Sequence, residues 1–279
     1  MLFRSLDVAP TIYFKNPVWP TTGDLDYAGN VPTKIVRIGT DGSGSTKQVA
    51  ISNDSGATWA EHAGAPSTIN SGAIALGANG TSYVWRTGSG SVLTSTSDSD
   101  TFVASSGVPR GAIIAADRRA DKVFYAASGN AFYASSNGGV TFTRKTAFTT
   151  SSFAVAFEIV AHPTKKSDVW VSSTTGLHRS TDGGSTWTSI SAVSRGYKFS
   201  LGAPKTASGY PAIYLVGMVD AIQGVYRSDD AGVSWTKIND AAKWGGGAPG
   251  SISVSADLRQ YGRVFLGTNG RGIFQAWPC

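Results

Sequence analysis

The chain has 279 residues, a formal net charge of +6, and 15% charged against 41% hydrophobic residues. This length suits one large all-β domain or two smaller ones, and 34 glycines with so few charges favour short strands and polar turns over helices. The basic residues are scattered, with no run longer than a pair such as Arg118-Arg119, which argues against nucleic-acid binding. No apolar run is long enough to span a membrane, and the single cysteine, Cys279, excludes an intramolecular disulfide.

An eight-residue pattern, Ser-x-Asp-x-Gly-x-Thr-Trp, recurs along the chain. Copies begin at residues 52, 135, 180 and 228, and a degenerate copy, STSDSDTF, begins at Ser95. Neighbouring copies are 40 to 48 residues apart, an interval typical of propellers and solenoids. Each copy is preceded by a predicted hairpin and followed by a short strand, and a further strand lies upstream: KIVRIGT, FEIVAHP, KFSLGAP or SISVSAD. Four antiparallel strands per repeat indicate the blade of a propeller.

The pattern resembles the Asp box, a turn between the third and fourth strands of a blade, and we interpret it as structural rather than catalytic. Glycine at its fifth position permits a positive φ, and the carboxylates of Asp54, Asp182 and Asp230 can accept N–H groups of their own turns. The aromatic residue at the eighth position is expected to pack between neighbouring blades: Trp59, Phe102, Phe142, Trp187 and Trp235. The copy at 95–102 has serine where Asp and Gly belong, so we expect a looser turn there.

These features predict an all-β fold: a β-propeller of four-stranded antiparallel blades with Asp-box turns, with about six blades and between five and seven. The tail at 251–277 supplies three further strands without a box. We expect a single domain over residues 1–279, with a strand at 3–9 pairing with 251–277 to close the ring, because closure removes exposed sheet edges. Trp85 and Trp170 lie within strand patterns and are expected in the core.

The stretches 160–187, 201–217, 224–240 and 256–274 resemble the C-terminal propeller of glycoside hydrolase family 74, the xyloglucanases and oligoxyloglucan reducing-end-specific cellobiohydrolases. LDVAPTIYFKNPVWPTTGDLDYAG, residues 6–29, is similar to a stretch of the same propeller. The resemblance implies two tandem seven-bladed propellers, inverting cleavage of the β-1,4-glucan backbone of xyloglucan, one catalytic aspartate from each propeller, and an extracellular location. Inversion places an acid and a base on opposite sides of the sugar, with room for a water molecule.

The resemblance assigns no catalytic residue to this sequence. The family's acid lies in a Gly-Asp-x-x-Gly-Phe segment, where this chain has Met1-Leu2, and FRSL at 3–6 lacks the His and Asp residues that follow there. We therefore expect a xyloglucan-active hydrolase, or its C-terminal propeller, whose activity requires a partner propeller. The alternative is a non-catalytic propeller that binds glycans or proteins. The first ten residues lack the apolar stretch of a signal peptide, so either the protein stays inside the cell or a leader lies outside this sequence.

The ligand face is expected opposite the boxes, where the long connections 9–25, 145–157, 188–198 and 236–251 lie. Aromatic rings can stack on the C–H face of a pyranose, so the predicted substrate-binding residues are Tyr13, Trp19, Tyr197 and Trp244; Phe14, Phe148 and Phe153 are also expected to be exposed. Carboxylates on this face are Asp24, Asp26, Asp220 and Asp240. No cofactor or metal is predicted, because His62, His162 and His178 lack metal-ligand spacing. The predicted partners are a xyloglucan or related β-glucan oligosaccharide and a second propeller or a second copy of the chain.

Overall fold

The computed structural model describes residues 3–5, 17, 19, 21–40, 48–67, 71–240, 252–269 and 272–277. Within these residues there are 24 strands and no helix, and the strands form six antiparallel sheets of four strands each. The all-β prediction is therefore confirmed. No helix of the described part has the length and apolar character needed to cross a membrane.

The sheets are numbered here as blades in chain order. Blade 1 contains β2 (Thr21–Tyr27), β3 (Ile35–Thr40), β4 (Val49–Ser52) and β5 (Ala60–Glu61). Blade 2 contains β6 (Gly72–Leu76), β7 (Tyr83–Thr87), β8 (Val92–Ser95) and β9 (Val103–Ala104). Blade 3 contains β10 (Ile113–Ala116), β11 (Phe124–Ser128), β12 (Ala131–Ser135) and β13 (Thr143–Arg144). Blade 4 contains β14 (Ala156–Ala161), β15 (Val169–Ser173), β16 (Gly176–Ser180) and β17 (Thr188–Ser189). Blade 5 contains β18 (Val193–Pro204), β19 (Pro211–Val219), β20 (Ile222–Ser228) and β21 (Thr236–Lys237). Blade 6 contains β22 (Ser253–Ala256), β23 (Val264–Gly267), β24 (Ile273–Ala276) and β1 (Phe3–Ser5).

The first strand of each blade lies against the first strand of the next blade from β2 through β6, β10, β14 and β18 to β22. These inner strands surround a central channel, which confirms a propeller of six blades. Blade 6 takes its fourth strand from the N-terminal end of the chain: β1 pairs antiparallel with β24, with Phe3 opposite Ala276. The sixth sheet is therefore complete without a box.

One strand assignment from the sequence was wrong. KIVRIGT was expected to be the first strand of its blade, but it is the second, β3, which pairs with both β2 and β4. The first strand is β2, whose sequence TTGDLDY is mostly polar because its side chains line the channel rather than a core. Alternation of apolar residues therefore did not reveal it.

Apolar cores lie between successive blades. The second strands are the most buried, since both neighbouring blades cover them; every residue of β15 is buried. Between blades 1 and 2, Val36 and Ile38 pack with Trp85, which is fully buried, as is Trp170 between blades 4 and 5. Burying a large apolar side chain contributes about 1.5–3 kcal/mol, so these five interblade cores dominate the stability of the ring.

The boxes connect the third and fourth strands of blades 1 to 5, as predicted. In the box of blade 4, Asp182 accepts hydrogen bonds from the Ser180 hydroxyl at 2.8 Å and from the Thr186 N–H and hydroxyl at 2.9 and 2.6 Å. The glycine N–H of the same turn donates to the Ser180 hydroxyl at 2.8 Å. Side-chain and backbone donors from Thr58, with the Ser52 hydroxyl, likewise lower the pKa of Asp54 to about 2. The box is thus a self-contained turn in which the carboxylate is already saturated with donors.

The degenerate copy forms a different turn. Ser97 stands in the aspartate position. Its hydroxyl accepts the N–H groups of Ser99 and Asp100, at 3.2 and 3.0 Å, and shares a 3.4 Å hydrogen bond with the Ser99 hydroxyl. The first serine of this copy, Ser95, donates to backbone carbonyls instead of a carboxylate. The serine–carboxylate bond found in the boxes of blades 1, 4 and 5 is therefore missing here, and the carboxylate of the turn is instead that of Asp100, which accepts the Thr96 hydroxyl at 3.0 Å.

The box aromatics pack on the preceding blade. The Trp187 ring of blade 4 lies 4.8 Å from the Phe132 ring of blade 3, and Phe102 of blade 2 lies in the core between blades 1 and 2. Trp59 of blade 1 instead packs with Trp19, which precedes β2 in the chain. Within the described residues, no apolar core joins blade 6 to blade 1.

Candidate functional site

The strand directions define two faces of the propeller. The front face carries the connections from each fourth strand to the next first strand and the turns between second and third strands. The rear face carries the boxes and the connections between first and second strands. The channel runs between the two faces and encloses about 430 Å³.

Carboxylates in the channel connect neighbouring inner strands. Asp24 and Asp26 of β2 accept the N–H groups of Ile74 and Leu76 in β6, at 2.9 and 2.8 Å. Glu158 of β14 accepts a backbone N–H of β18 at 2.8 Å. The inner strands of different blades belong to separate sheets, so these side chains satisfy N–H groups that have no ladder partner. We conclude that the channel carboxylates bridge the blades.

The environment of these carboxylates raises the pKa of two of them. Burial raises the pKa of Asp24 and that of Glu158, despite the hydrogen bonds that each receives. Lys198 lies 3.7 Å from Glu158, and Arg118 forms a 2.8 Å ion pair with Asp26. The channel therefore contains carboxyl groups that bind a proton more readily than a carboxylate in water.

An aromatic patch lies at the front mouth of the channel, where β14 and β18 begin. The rings of Phe157 and Tyr197 are stacked, with centroids 6.0 Å apart and an interplanar angle of 29°. Arg195 donates to the Tyr197 hydroxyl at 3.4 Å, and Phe153 is 90% exposed. We call Phe153, Phe157, Arg195 and Tyr197 the front aromatic patch. It combines apolar ring surface with a cationic hydrogen-bond donor.

Two aromatic residues expected to be exposed on this face are buried. Phe148 is 1% exposed and packs between blades 3 and 4. Trp19 is 8% exposed because its ring covers the buried Arg37 guanidinium at 4.5 Å, while Trp59 covers the same group at 4.7 Å. Such a pair of rings stabilises a cation removed from water. Replacing Trp19 would therefore change stability as well as any binding.

The other residues predicted for the ligand face lie partly within and partly outside the residues that the structure describes. Tyr197 and Phe153 lie on the front face, whereas Tyr13, Phe14 and Trp244 lie outside the described residues. Asp220 lies in the turn between β19 and β20, also at the front. The substrate-binding roles of Tyr13, Trp19, Tyr197 and Trp244 stay predictions.

Sequence reasoning missed Phe157, Arg195 and Glu158. The register shifts between Ala156 and Glu158 in β14 and between Val193 and Arg195 in β18, so simple alternation does not place these side chains. The acidic residue in the otherwise apolar stretch FEIVA was the available signal for a channel-facing position.

The three histidines are buried and have structural contacts. His62 packs edge-on against Tyr83, and His178 contacts the hydroxyls of Ser173 and Ser189 at 3.1 and 2.9 Å. In the described ranges, no group of three or more His, Cys, Asp or Glu residues could hold a metal ion.

Six four-stranded blades, five of which have a box turn, define this protein as an Asp-box β-propeller. No family model matches the sequence. It is 37% identical over 281 residues to a xyloglucanase from Hypocrea jecorina, covering 98% of this chain and 32% of that protein. The structure is similar to that of the family 74 xyloglucanase from Xanthomonas campestris, with a TM-score of 0.85 and 28% identity over 96% of this chain and 39% of the other. For the family 74 enzyme of Niastella koreensis the TM-score is 0.80, with 31% identity over 94% and 37%.

These likenesses identify the chain as a propeller of the glycoside hydrolase family 74 type. It spans about a third of the length of the curated relatives it matches.

Proposed function

We propose that this propeller contributes to the binding and cleavage of xyloglucan, a neutral branched glucan, and that it binds the glucan on its front face. The front aromatic patch carries this proposal, supported by the similarity to two xyloglucanases described above. The propeller is proposed to be a single domain that acts outside the cell. We propose that it acts together with a second propeller, because the relative from Hypocrea jecorina is about three times as long as this chain. The catalytic acid and base are then supplied by residues other than those assigned here.

The chemistry of the patch fits a neutral sugar. The stacked rings of Phe157 and Tyr197 present apolar surface to the C–H faces of pyranose rings. The exposed Arg195 guanidinium can donate to sugar hydroxyls without requiring a charged ligand. The bridging bonds of the channel carboxylates hold the inner strands that carry these residues, which keeps the platform rigid.

Calorimetric titration with xyloglucan oligosaccharides tests the binding. Tyr197→Ala and Phe153→Ala are expected to weaken binding about tenfold each, equivalent to about 1.4 kcal/mol. The matched control is Val233→Ala, which removes a similarly exposed apolar side chain (83%) within the box of blade 5 on the rear face. Unchanged affinity in both front variants, or absence of binding by the unmodified chain, rejects the proposal.

Cleavage is tested separately. Reducing ends released from xyloglucan are measured with the chain alone and with the N-terminal propeller of a xyloglucanase added. Release only in the mixture supports the requirement for a second propeller. No release in either mixture leaves binding without hydrolysis, which is the glycan-binding alternative.

Self-association is a second candidate, favoured by exposed apolar side chains of blade 6. Ile273 and Trp277 are 49% and 43% exposed. Light scattering over a range of concentrations tests this alternative: a dimer that Trp277→Asp converts to a monomer supports it, and a monomeric wild type rejects it.

A further inference from the structure

A second large cavity lies on the rear face, away from the front aromatic patch. It encloses about 900 Å³ and is formed by connections of blades 1, 3, 4, 5 and 6. This volume is in the range of small-molecule binding pockets. Neither the repeat pattern nor the predicted function accounts for it.

The cavity wall has an excess of positive charge. Arg119, Lys165 and Arg259 line it, whereas none of the described lining residues carries a carboxylate. The nearby carboxylate of Asp257 is already engaged by the N–H groups of Arg259 and Gln260 and by Arg263. An anion entering the cavity therefore meets cations without repulsion from the wall.

Arg119 and Lys165 are held in place by neutral partners. Arg119 donates to the Pro163 carbonyl at 2.8 Å and to the Asn30 side chain at 3.3 Å, which leaves Nη2 without a hydrogen-bond partner in the described part of the chain. Lys165 lies over the Tyr210 ring at 5.6 Å. Its loop is fixed because His162 Nδ1 accepts the N–H groups of Thr164 and Lys165, at 3.1 and 3.0 Å.

The remainder of the wall combines hydroxyl groups with apolar surface. Thr33, Ser55 and Ser208 contribute hydroxyls, and four prolines present C–H surface: Pro32, Pro163, Pro204 and Pro211. Hydroxyls that both donate and accept suit a polyhydroxylated ligand, and apolar surface suits the C–H faces of sugar rings.

We propose that the rear cavity binds a carboxylated oligosaccharide, a short chain of uronic acid residues, with its carboxylates on Arg119 and Lys165. This site is separate from the xyloglucan site and does not depend on it. A propeller with both sites would hold an acidic polysaccharide at its rear while the front face binds a neutral glucan.

The probe is a trimer of galacturonic acid, titrated calorimetrically into the full chain at low and at physiological ionic strength. We expect binding that weakens with added salt, and at least a tenfold loss in the double variant Arg119→Gln/Lys165→Gln. The control double variant Lys145→Gln/Lys237→Gln removes the same charge from exposed outer positions and is expected to bind normally. Lys165→Gln alone, which breaks no side-chain hydrogen bond of the described residues, is expected to show a smaller loss and separates binding from folding effects.

Four outcomes contradict the proposal. The first is no binding of the trimer by the unmodified chain, and the second is equal loss in the cavity and control variants, which indicates a diffuse charge effect. The third is tighter binding of pyrophosphate than of the trimer, which assigns the cavity to phosphate rather than to a saccharide. Cellotriose, the neutral trimer of glucose, is expected not to bind in the cavity, and binding of it that is lost in Arg119→Gln/Lys165→Gln also contradicts the proposed role of the carboxylates.

Discussion

The glycines at the fifth position of the boxes share one backbone conformation, a positive φ, but differ in the atoms that surround them. In the four intact boxes the fifth residue has φ near +90°: Gly56, Gly139, Gly184 and Gly232. A Cβ at Gly56 would meet only Trp59, at 3.6 Å, which is an ordinary contact. A Cβ at Gly184 would lie 2.3 Å from Cδ1 of Phe132, a fully buried ring of the preceding blade.

These distances predict different costs for the same substitution. Ala in a left-handed conformation costs roughly 1–2 kcal/mol, and this applies to Gly56→Ala and Gly184→Ala alike. Only Gly184→Ala also forces apart two packed blades, and overpacking costs about 1–3 kcal/mol more. We therefore expect a loss of about 1–2 kcal/mol in unfolding free energy for Gly56→Ala and about 2–5 kcal/mol for Gly184→Ala.

Urea denaturation followed by tryptophan fluorescence measures both losses, and unchanged m-values would show that the same structure unfolds. Phe132→Leu is the test of mechanism, because a smaller side chain relieves the contact and the cost of Gly184→Ala should fall in the double variant. Equal costs for Gly56→Ala and Gly184→Ala would refute the packing argument. A negligible cost for Gly56→Ala would refute the conformational one.

Two further predictions concern protonation and the box carboxylates. Burial lowers the pKa of His162 and of His178 to about 4, below the usual 6.5, so the unfolded chain takes up protons first as the pH falls. The unfolding free energy is therefore expected to be flat above pH 6.5 and to fall toward pH 4, by up to about 3 kcal/mol per histidine. Urea titrations across this pH range should show a shallower fall for His178→Gln. A fall in unfolding free energy that is unchanged in this variant contradicts the assignment to His178. Asp182→Ala should lower the unfolding free energy by about 1–2 kcal/mol, because it removes the acceptor of the Ser180 and Thr186 hydrogen bonds. Ser97→Ala in the degenerate copy should lower it by less. The reverse order of the two losses would reject the role given to the carboxylate.

Much of the fold was predictable from the sequence because the box is a local structure. Its hydrogen bonds join residues two to four positions apart, as between Ser180, Asp182 and Thr186, so eight letters are enough to specify the turn. The spacing between boxes then specifies four short strands per blade, and the count of boxes with the terminal strands gives six blades. The polar inner strand β2 was misassigned because channel-lining strands lack the apolar alternation of core strands.

The candidate functional surfaces depend on tertiary structure and could not be predicted from the sequence. Trp19 was expected on the surface, but it covers Arg37 of β3, a contact between residues 18 positions apart that no local pattern encodes. The stack of Phe157 on Tyr197 depends on a bulge and on two neighbouring blades, and the rear cavity is formed by loops of five blades. Local hydrogen bonding and backbone conformation made the blades and their box turns predictable from the sequence. The candidate binding surfaces could not be predicted, because they form where ring closure brings together residues that are far apart in the chain.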